Sequence, residues 1–139
     1  MATARYLADR SVHARLHLPA VQYRLAPMIE SGLVATCTLV DLEILFSTRA
    51  PSEYHHVSRE LAGFERLDIE QPDWQRAQEV QAALAATGRT RAVGVPDLLL
   101  AAVAERHRVT LLHYDRDFDV VAAVTGQPSE WIVPAGSVP

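Results

Sequence analysis

The chain has 139 residues, 49% of them apolar, and a formal charge of −4, which suits one domain with a real core, residues 1–139, and leaves too little for two. So mild a charge excludes recognition of nucleic acid or membrane by bulk electrostatics alone. All 13 basic residues are arginine, so a Walker-type phosphate loop, Schiff-base chemistry and the acid-plus-lysine sites of phosphotransfer receivers and dehalogenase-like phosphatases drop out.

Arg5-Tyr6-Leu7-Ala8 is an apolar run ending on Asp9-Arg10-Ser11, with no signal-peptide pattern before it, which predicts an opening strand and a cytoplasmic location. Val12 to Leu16 has helical spacing, Pro19 opens a second helix through Met28-Ile29, and Ser31-Gly32 closes it. Leu33 to Cys37 is the next predicted strand. Cys37 is the single cysteine, which excludes an intrachain disulfide and a multi-cysteine zinc site. Thr38-Leu39-Val40-Asp41 opens a helix with Thr38 as N-cap and Asp41 at a capping-box position, and Glu43 lies one turn inside. That helix breaks at Ala50-Pro51, Ser52 caps another through Glu65, and Leu67-Asp68-Ile69 reads as a short third strand.

From Asp73 to Ala86, Trp74, Ala77, Val80, Gln81 and Leu84 recur near the helical period, and Gly88 ends the helix. After the polar loop from Arg89 to Gly94, Val95-Pro96-Asp97 starts a helix whose stretch from Leu98 to Val103 is apolar on every side, the mark of a buried helix. The apolar run from Val93 to Ala104 is interrupted by Pro96 and Asp97 and falls short of the ~20 residues a membrane helix needs, so no span is predicted. Val109 to Tyr114 is a buried central strand, a helix runs from Asp115 through Val124, and Trp131-Ile132-Val133 is the last strand. Strands alternating with helices predict an α/β fold, a mainly parallel central sheet flanked by helices, with its site at the carboxyl ends of the strands.

Acids gather at those ends. Asp115, Asp117 and Asp119 stand at alternate positions past the central strand, and Asp9, Glu43 and Asp97 occupy strand ends or first helical turns. Any one of them is explained as a helix cap, and for Asp41 and Asp119 a cap and a solvated first turn suffice. Asp9, Glu43, Asp97 and Asp115 at one sheet edge repel one another unless a cation lies among them. Oxygen ligands without cysteine or paired histidine select Mg²⁺ or Mn²⁺, and the implied chemistry is metal-assisted hydrolysis of a phosphodiester.

Tyr6-Leu7-Ala8-Asp9-Arg10-Ser11, Thr38-Leu39-Val40-Asp41-Leu42-Glu43, Pro96-Asp97-Leu98-Leu99-Leu100-Ala101-Ala102 and His113-Tyr114-Asp115-Arg116-Asp117-Phe118 together resemble the PIN-domain nucleases, and among them the small VapC-type toxins of bacterial toxin–antitoxin pairs. The resemblance spans nearly the whole chain. It implies a PIN-like three-layer fold and a Mg²⁺-dependent endoribonuclease that is inhibited by a cognate VapB-like antitoxin and forms a homodimer or a toxin–antitoxin hetero-oligomer. It assigns Asp9, Glu43, Asp97 and Asp115 to the catalytic metal pocket, with Asp117 as a fifth member and Ser11 hydrogen-bonding near Asp9. Arg10 stands where a threonine or other small polar residue is frequent in the family. Asp9 and Asp97 are expected to hold the metal, while Glu43 and Asp115 complete its shell through water or take the water's proton.

Arg10, Arg89, Arg91 and Arg116 flank these acids and are candidates for RNA phosphates, with surface solvation as the alternative. His113 sits in a strand and His55-His56 on a helix face, where packing and solvation account for them. Trp74 and Trp131 lie in periodic apolar segments and are expected in the core or an interface. Leu42, Leu45, Phe46 and Tyr54 are candidates for a peptide groove, most of the face being explained by core packing. Two other readings fit the residues: a catalytically silent α/β interaction module whose acidic pocket binds a partner's arginine, and a DNA-directed nuclease of the PIN or flap type.

Overall fold

Successive residues of a strand point to opposite faces of its sheet. Leu7, Ala35 and Leu111 accordingly pack on one side of the central sheet, and their neighbours Ala8, Val34 and Leu112 on the other. The structure, a computed structural model, describes residues 2–139. Its strands β1 (Tyr6–Ala8), β2 (Val34–Thr36), β3 (Glu65–Arg66), β4 (Thr110–His113) and β5 (Ser129–Trp131) form one sheet in the order β3-β2-β1-β4-β5. Every pairing is parallel.

The helices are α1 (Arg10–His13), α2 (Pro19–Glu30), α3 (Thr38–Phe46), α4 (Pro51–Leu61), α5 (Gln71–Ala85), α6 (Val95–His107) and α7 (Asp117–Thr125). Val12 of α1 with Val21 and Leu25 of α2 cover one face, while Val80 and Leu84 of α5, Leu100 and Val103 of α6 and Phe118 and Val121 of α7 cover the other. This is the three-layer α/β fold expected from the sequence. Helix α6 is buried from Leu98 to Ala104, as its apolar circumference requires. Gly32 and Gly88 take positive φ, 69° and 72°, just past the ends of α2 and α5, where a side chain would strain the chain reversal. Chain order runs from β1 through β2 to β3 in one direction and through β4 to β5 in the other. The reversal lies between β1 and β4, the place where parallel sheets open a crevice at their carboxyl ends.

Several local expectations are corrected. Helix α1 is one short element ending at His13, so the helical spacing out to Leu16 is used in turns instead. Thr38 is not the N-cap of α3: Cys37 is, without a side-chain bond. Asp41 does no capping either; it is buried, accepts the Thr36 hydroxyl at 2.7 Å and pairs with Arg66. The β2–β3 pairing delivers that arginine from 25 positions away, and a charge-assisted bond outcompetes a local cap. Nor does Ser52 cap α4, whose N-cap is Ala50 with Pro51 just inside.

Helix α4 stops at Leu61, which frees Glu65 to join β3 and to accept the Ala4 N–H at 2.8 Å. The third strand therefore lies just ahead of the predicted Leu67-Asp68-Ile69, although the Leu67 N–H still reaches Thr36 O at 2.9 Å. Likewise β5 begins two residues ahead of the predicted Trp131-Ile132-Val133 and shares only Trp131 with it, while Ile132 and Val133 fill the apolar space on the α1–α2 face. The helix expected from Asp115 starts at Asp117, because the Asp115 carboxylate accepts the Asp117 N–H at 2.9 Å and turns the chain first.

Helix α5 carries a capping box that the sequence reading missed, Glu70 with Asp73. Asp73 is also 1% exposed and takes two bonds from Arg106 of α6, at 2.7 and 3.0 Å. This bidentate pair holds the Arg106 pKa above its ordinary value, chiefly through Asp73. Removing one partner of a buried pair leaves the other uncompensated. Arg106→Met is expected to cost about 2–4 kcal/mol of stability, read from the urea midpoint, and a loss under about 0.5 kcal/mol would show that the α5–α6 contact does not depend on the pair.

Candidate active site

The crevice between the ends of β1 and β4 is stitched by hydrogen bonds. The Asp9 N–H donates to Leu112 O at 2.8 Å. Asp9 is 5% exposed, and its Oδ2 accepts both the Ser11 N–H, at 3.0 Å, and the Ser11 hydroxyl, at 2.6 Å. Ser11 Oγ in turn accepts the Tyr114 N–H at 2.9 Å. Asp9 is thus the N-cap of α1, and a single hydroxyl ties its carboxylate to the opposite strand.

Asp97 enters from the first turn of α6, behind Pro96, with its N–H bonded to Gly94 O. A helix N-terminus favours a carboxylate, yet the Asp97 pKa is pushed up to about 7. Burial is the largest cause, followed by the charges of Asp9, Asp115, Glu43 and Asp117. Burial and the four neighbouring carboxylates together outweigh the helix dipole. Glu43, on α3, is raised as well, first by burial and then by Asp9, with Arg10 opposing from 3.7 Å. Asp117 is raised by burial and by Asp115.

Carboxylate oxygens of Asp97, Asp115 and Asp117 lie within 4.8 Å of one another. Asp117, treated as a fifth member in the sequence reading, belongs to this tightest trio, while Asp9 and Glu43 act on it electrostatically from the β1 and α3 sides. A compact set of hard oxygen donors that repel one another when empty matches what Mg²⁺ or Mn²⁺ requires.

Of the arginines expected to meet phosphate, Arg10 is the one that pairs with a site acid among the described residues. Arg89, Arg91 and Arg116 are exposed, and the first of them donates to the Thr87 hydroxyl at 3.3 Å.

A scan against known families matches residues 6–124 to the PIN domain. The chain belongs to the PIN-domain family. It is 46% identical to Ribonuclease VapC21 of Mycobacterium tuberculosis over 97% of this chain and 99% of that protein. Against Ribonuclease VapC51 of the same organism it is 43% identical, over 96% and 97%. Among solved structures, the DNA-bound VapBC complex of Salmonella typhimurium aligns with a TM-score of 0.77 at 16% identity, over 94% of this chain and 100% of the matched one. VapBC-5 of Mycobacterium tuberculosis aligns at 0.62 and 22%, over 94% and 99%. At such identities these structures speak for the fold alone.

Several side chains of this PIN domain stand in surroundings that the sequence left open or did not suggest. Leu42 and Phe46 of α3 are 59% and 92% exposed, not packed in the core, and line a groove of 460 Å³ with Arg10, Glu43 and Ser47 beside the acids. The signal was present in the sequence, because α3 carries more apolar residues than one buried stripe accommodates. Trp74 is half-exposed over a groove between α5 and the start of α6. Asp119, expected to be merely solvated, accepts the Trp131 indole N–H at 3.1 Å. His55 and His56 are exposed and His113 is fully buried among aromatic rings, as their sequence positions suggested.

Proposed function

We propose that residues 1–139 act as one domain, a divalent-metal-dependent endoribonuclease that is the toxin of a toxin–antitoxin pair in the cytoplasm. The observation carrying this reading is the trio of carboxylates within 4.8 Å, with two further acids bearing on Asp97. The names of the 46% and 43% identical relatives supply the substrate class, RNA. The toxin role draws on the VapC names and on solved VapBC complexes of this fold. No helix of the described residues is long and apolar enough to cross a membrane.

Asp97, Asp115, Asp117 and Asp9 would hold Mg²⁺ or Mn²⁺, which when bound supplies Lewis acidity toward the phosphate and a lower pKa for water. Asp9 is oriented through its two bonds from Ser11. Glu43, lifted above the ordinary carboxylate range by burial and by Asp9, accepts the attacking water's proton better than an unperturbed carboxylate does. Asp115 is fixed by the Asp117 N–H and serves as a ligand. Arg10 reaches from Glu43 toward a phosphate, with Ser11, Arg89, Arg91 and Arg116 as further contacts along the backbone of the RNA.

A VapB-like antitoxin silences the site by laying an apolar segment on Leu42 and Phe46 and placing an arginine among the acids. The toxin assembles as a homodimer and, with its antitoxin, as a hetero-oligomer. Purified protein is expected to cut RNA and leave DNA intact in Mg²⁺, to lose all cleavage in EDTA, and to be inhibited by antitoxin less strongly once its arginine is replaced by alanine. Cleavage of DNA in preference to RNA would identify a flap-type nuclease, and failure to cut either or to bind metal a silent interaction module.

A further inference from the structure

We propose that His113 is a positioning residue for the metal centre, setting the backbone of Asp115 through its Nδ1 atom. This rests on the reading of the acidic trio as a metal site and adds a residue that touches neither metal nor substrate.

His113 ends β4 and is 0% exposed. The Asp115 N–H lies 3.2 Å from His113 Nδ1. A backbone N–H only donates, so Nδ1 is the acceptor and the ring's proton sits on Nε2. That second nitrogen is buried and meets no partner among the described residues. A ring serving only to fill space would be better replaced by phenylalanine, since a buried N–H without a partner is unfavourable. What the imidazole offers beyond volume is the acceptor.

The bond has a companion. Two positions on, Asp115 Oδ1 accepts the Asp117 N–H at 2.9 Å. His113, Asp115 and Asp117 therefore form a chain of side-chain-to-backbone bonds at alternate positions, which carries the chain from a rigid strand into the turn that brings two carboxylates beside Asp97. The ring itself is clamped, with Phe118 and Trp131 each 5.1 Å away between centroids. A locked ring fixes the first link, and the ligands inherit its position.

The test uses the full chain, His113→Phe and His113→Asn, with Mn²⁺ alone as titrant in calorimetry. Phenylalanine keeps the ring and loses the acceptor; asparagine loses the ring but places an oxygen where an N–H two residues on can reach it. His113→Phe is expected to melt at or above the parent temperature and to bind Mn²⁺ roughly 10- to 100-fold more weakly. His113→Asn is expected to melt lower while binding within about threefold of the parent. Amide exchange at Asp115 follows the same order, protected in the parent and in His113→Asn and exposed in His113→Phe. Parent-like Mn²⁺ affinity in His113→Phe overturns the proposal, as does an unprotected Asp115 amide in the parent or an equal loss of affinity in both variants. A parent that binds no Mn²⁺ overturns the metal-site reading and this inference with it, a result distinct from the other three.

Discussion

Asp97→Asn is expected to lower RNA cleavage by roughly 10²- to 10³-fold and, in the same protein without metal, to raise the melting temperature. Both effects have one origin. Asp97 is the acid on which the other carboxylates converge, its pKa raised from 3.8 to about 7, so at pH 8 the empty site holds a carboxylate that its surroundings oppose. Asparagine keeps the shape and removes the charge. Discounted for the partial solvation of this side chain, the relief is about 1–2 kcal/mol, or roughly 3–8 °C. Cleavage falls because the trio with Asp115 and Asp117 loses a ligand charge, and the loss exceeds anything attributable to folding. Differential scanning fluorimetry in EDTA and a timed RNA digestion in Mg²⁺ measure the two effects. Unchanged cleavage would remove Asp97 from the site, and a fall in melting temperature would mean that its charge is compensated in the empty protein.

Mn²⁺ affinity is expected to be nearly constant above about pH 7.5 and to fall by roughly tenfold for each pH unit below about 6.5. Metal and proton compete for Asp97, and its pKa of about 7 places the competition near neutrality instead of near pH 4. For the metal-free fold the sign runs the other way. Because the folded pKa lies above the unfolded value of 3.8, the folded state binds more protons between about 4 and 7, and stability declines as pH rises through that window. Glu43 and Asp117, also raised, act in the same direction. Calorimetry in buffers of different ionisation enthalpy reads the coupling as proton release, approaching one or more protons per ion near pH 6 and vanishing near pH 8.5. Release of no protons at either pH would show that Asp97 is already ionised in the empty site.

The PIN domain's elements were legible because their signals are local. A proline inside a first turn, a glycine past a helix end and an apolar run bounded by acids each act within a few residues, and the starts of α2 and α6 and the end of α5 lie where those signals stand. Strand boundaries were less legible. A strand's span is set by the neighbour it pairs with, so β3 and β5 begin two residues ahead of the apolar runs that start at Leu67 and Trp131, and Leu67 and Ile132 still donate an N–H to Thr36 O and His113 O.

By itself the sequence determined that acids gather at the carboxyl edge of a parallel α/β sheet, since alternation of strand and helix fixes which end of every strand faces the crevice. Only the tertiary structure decided how those acids divide. Asp41 and Glu43 are two positions apart on one helix, yet Arg66 arriving with β3 turns the first into a buried ion pair, while the second faces Asp9. Asp115 and Asp117 are likewise two apart, and both reach Asp97 because the turn held by His113 brings them there. Leu42 and Phe46 were open between core and groove in the sequence, and packing on the other face of α3 left them exposed beside the acids. Arg66, Asp9 and Asp97 are each distant in sequence from the acids they meet, and their effect enters only after the fold has closed the distance.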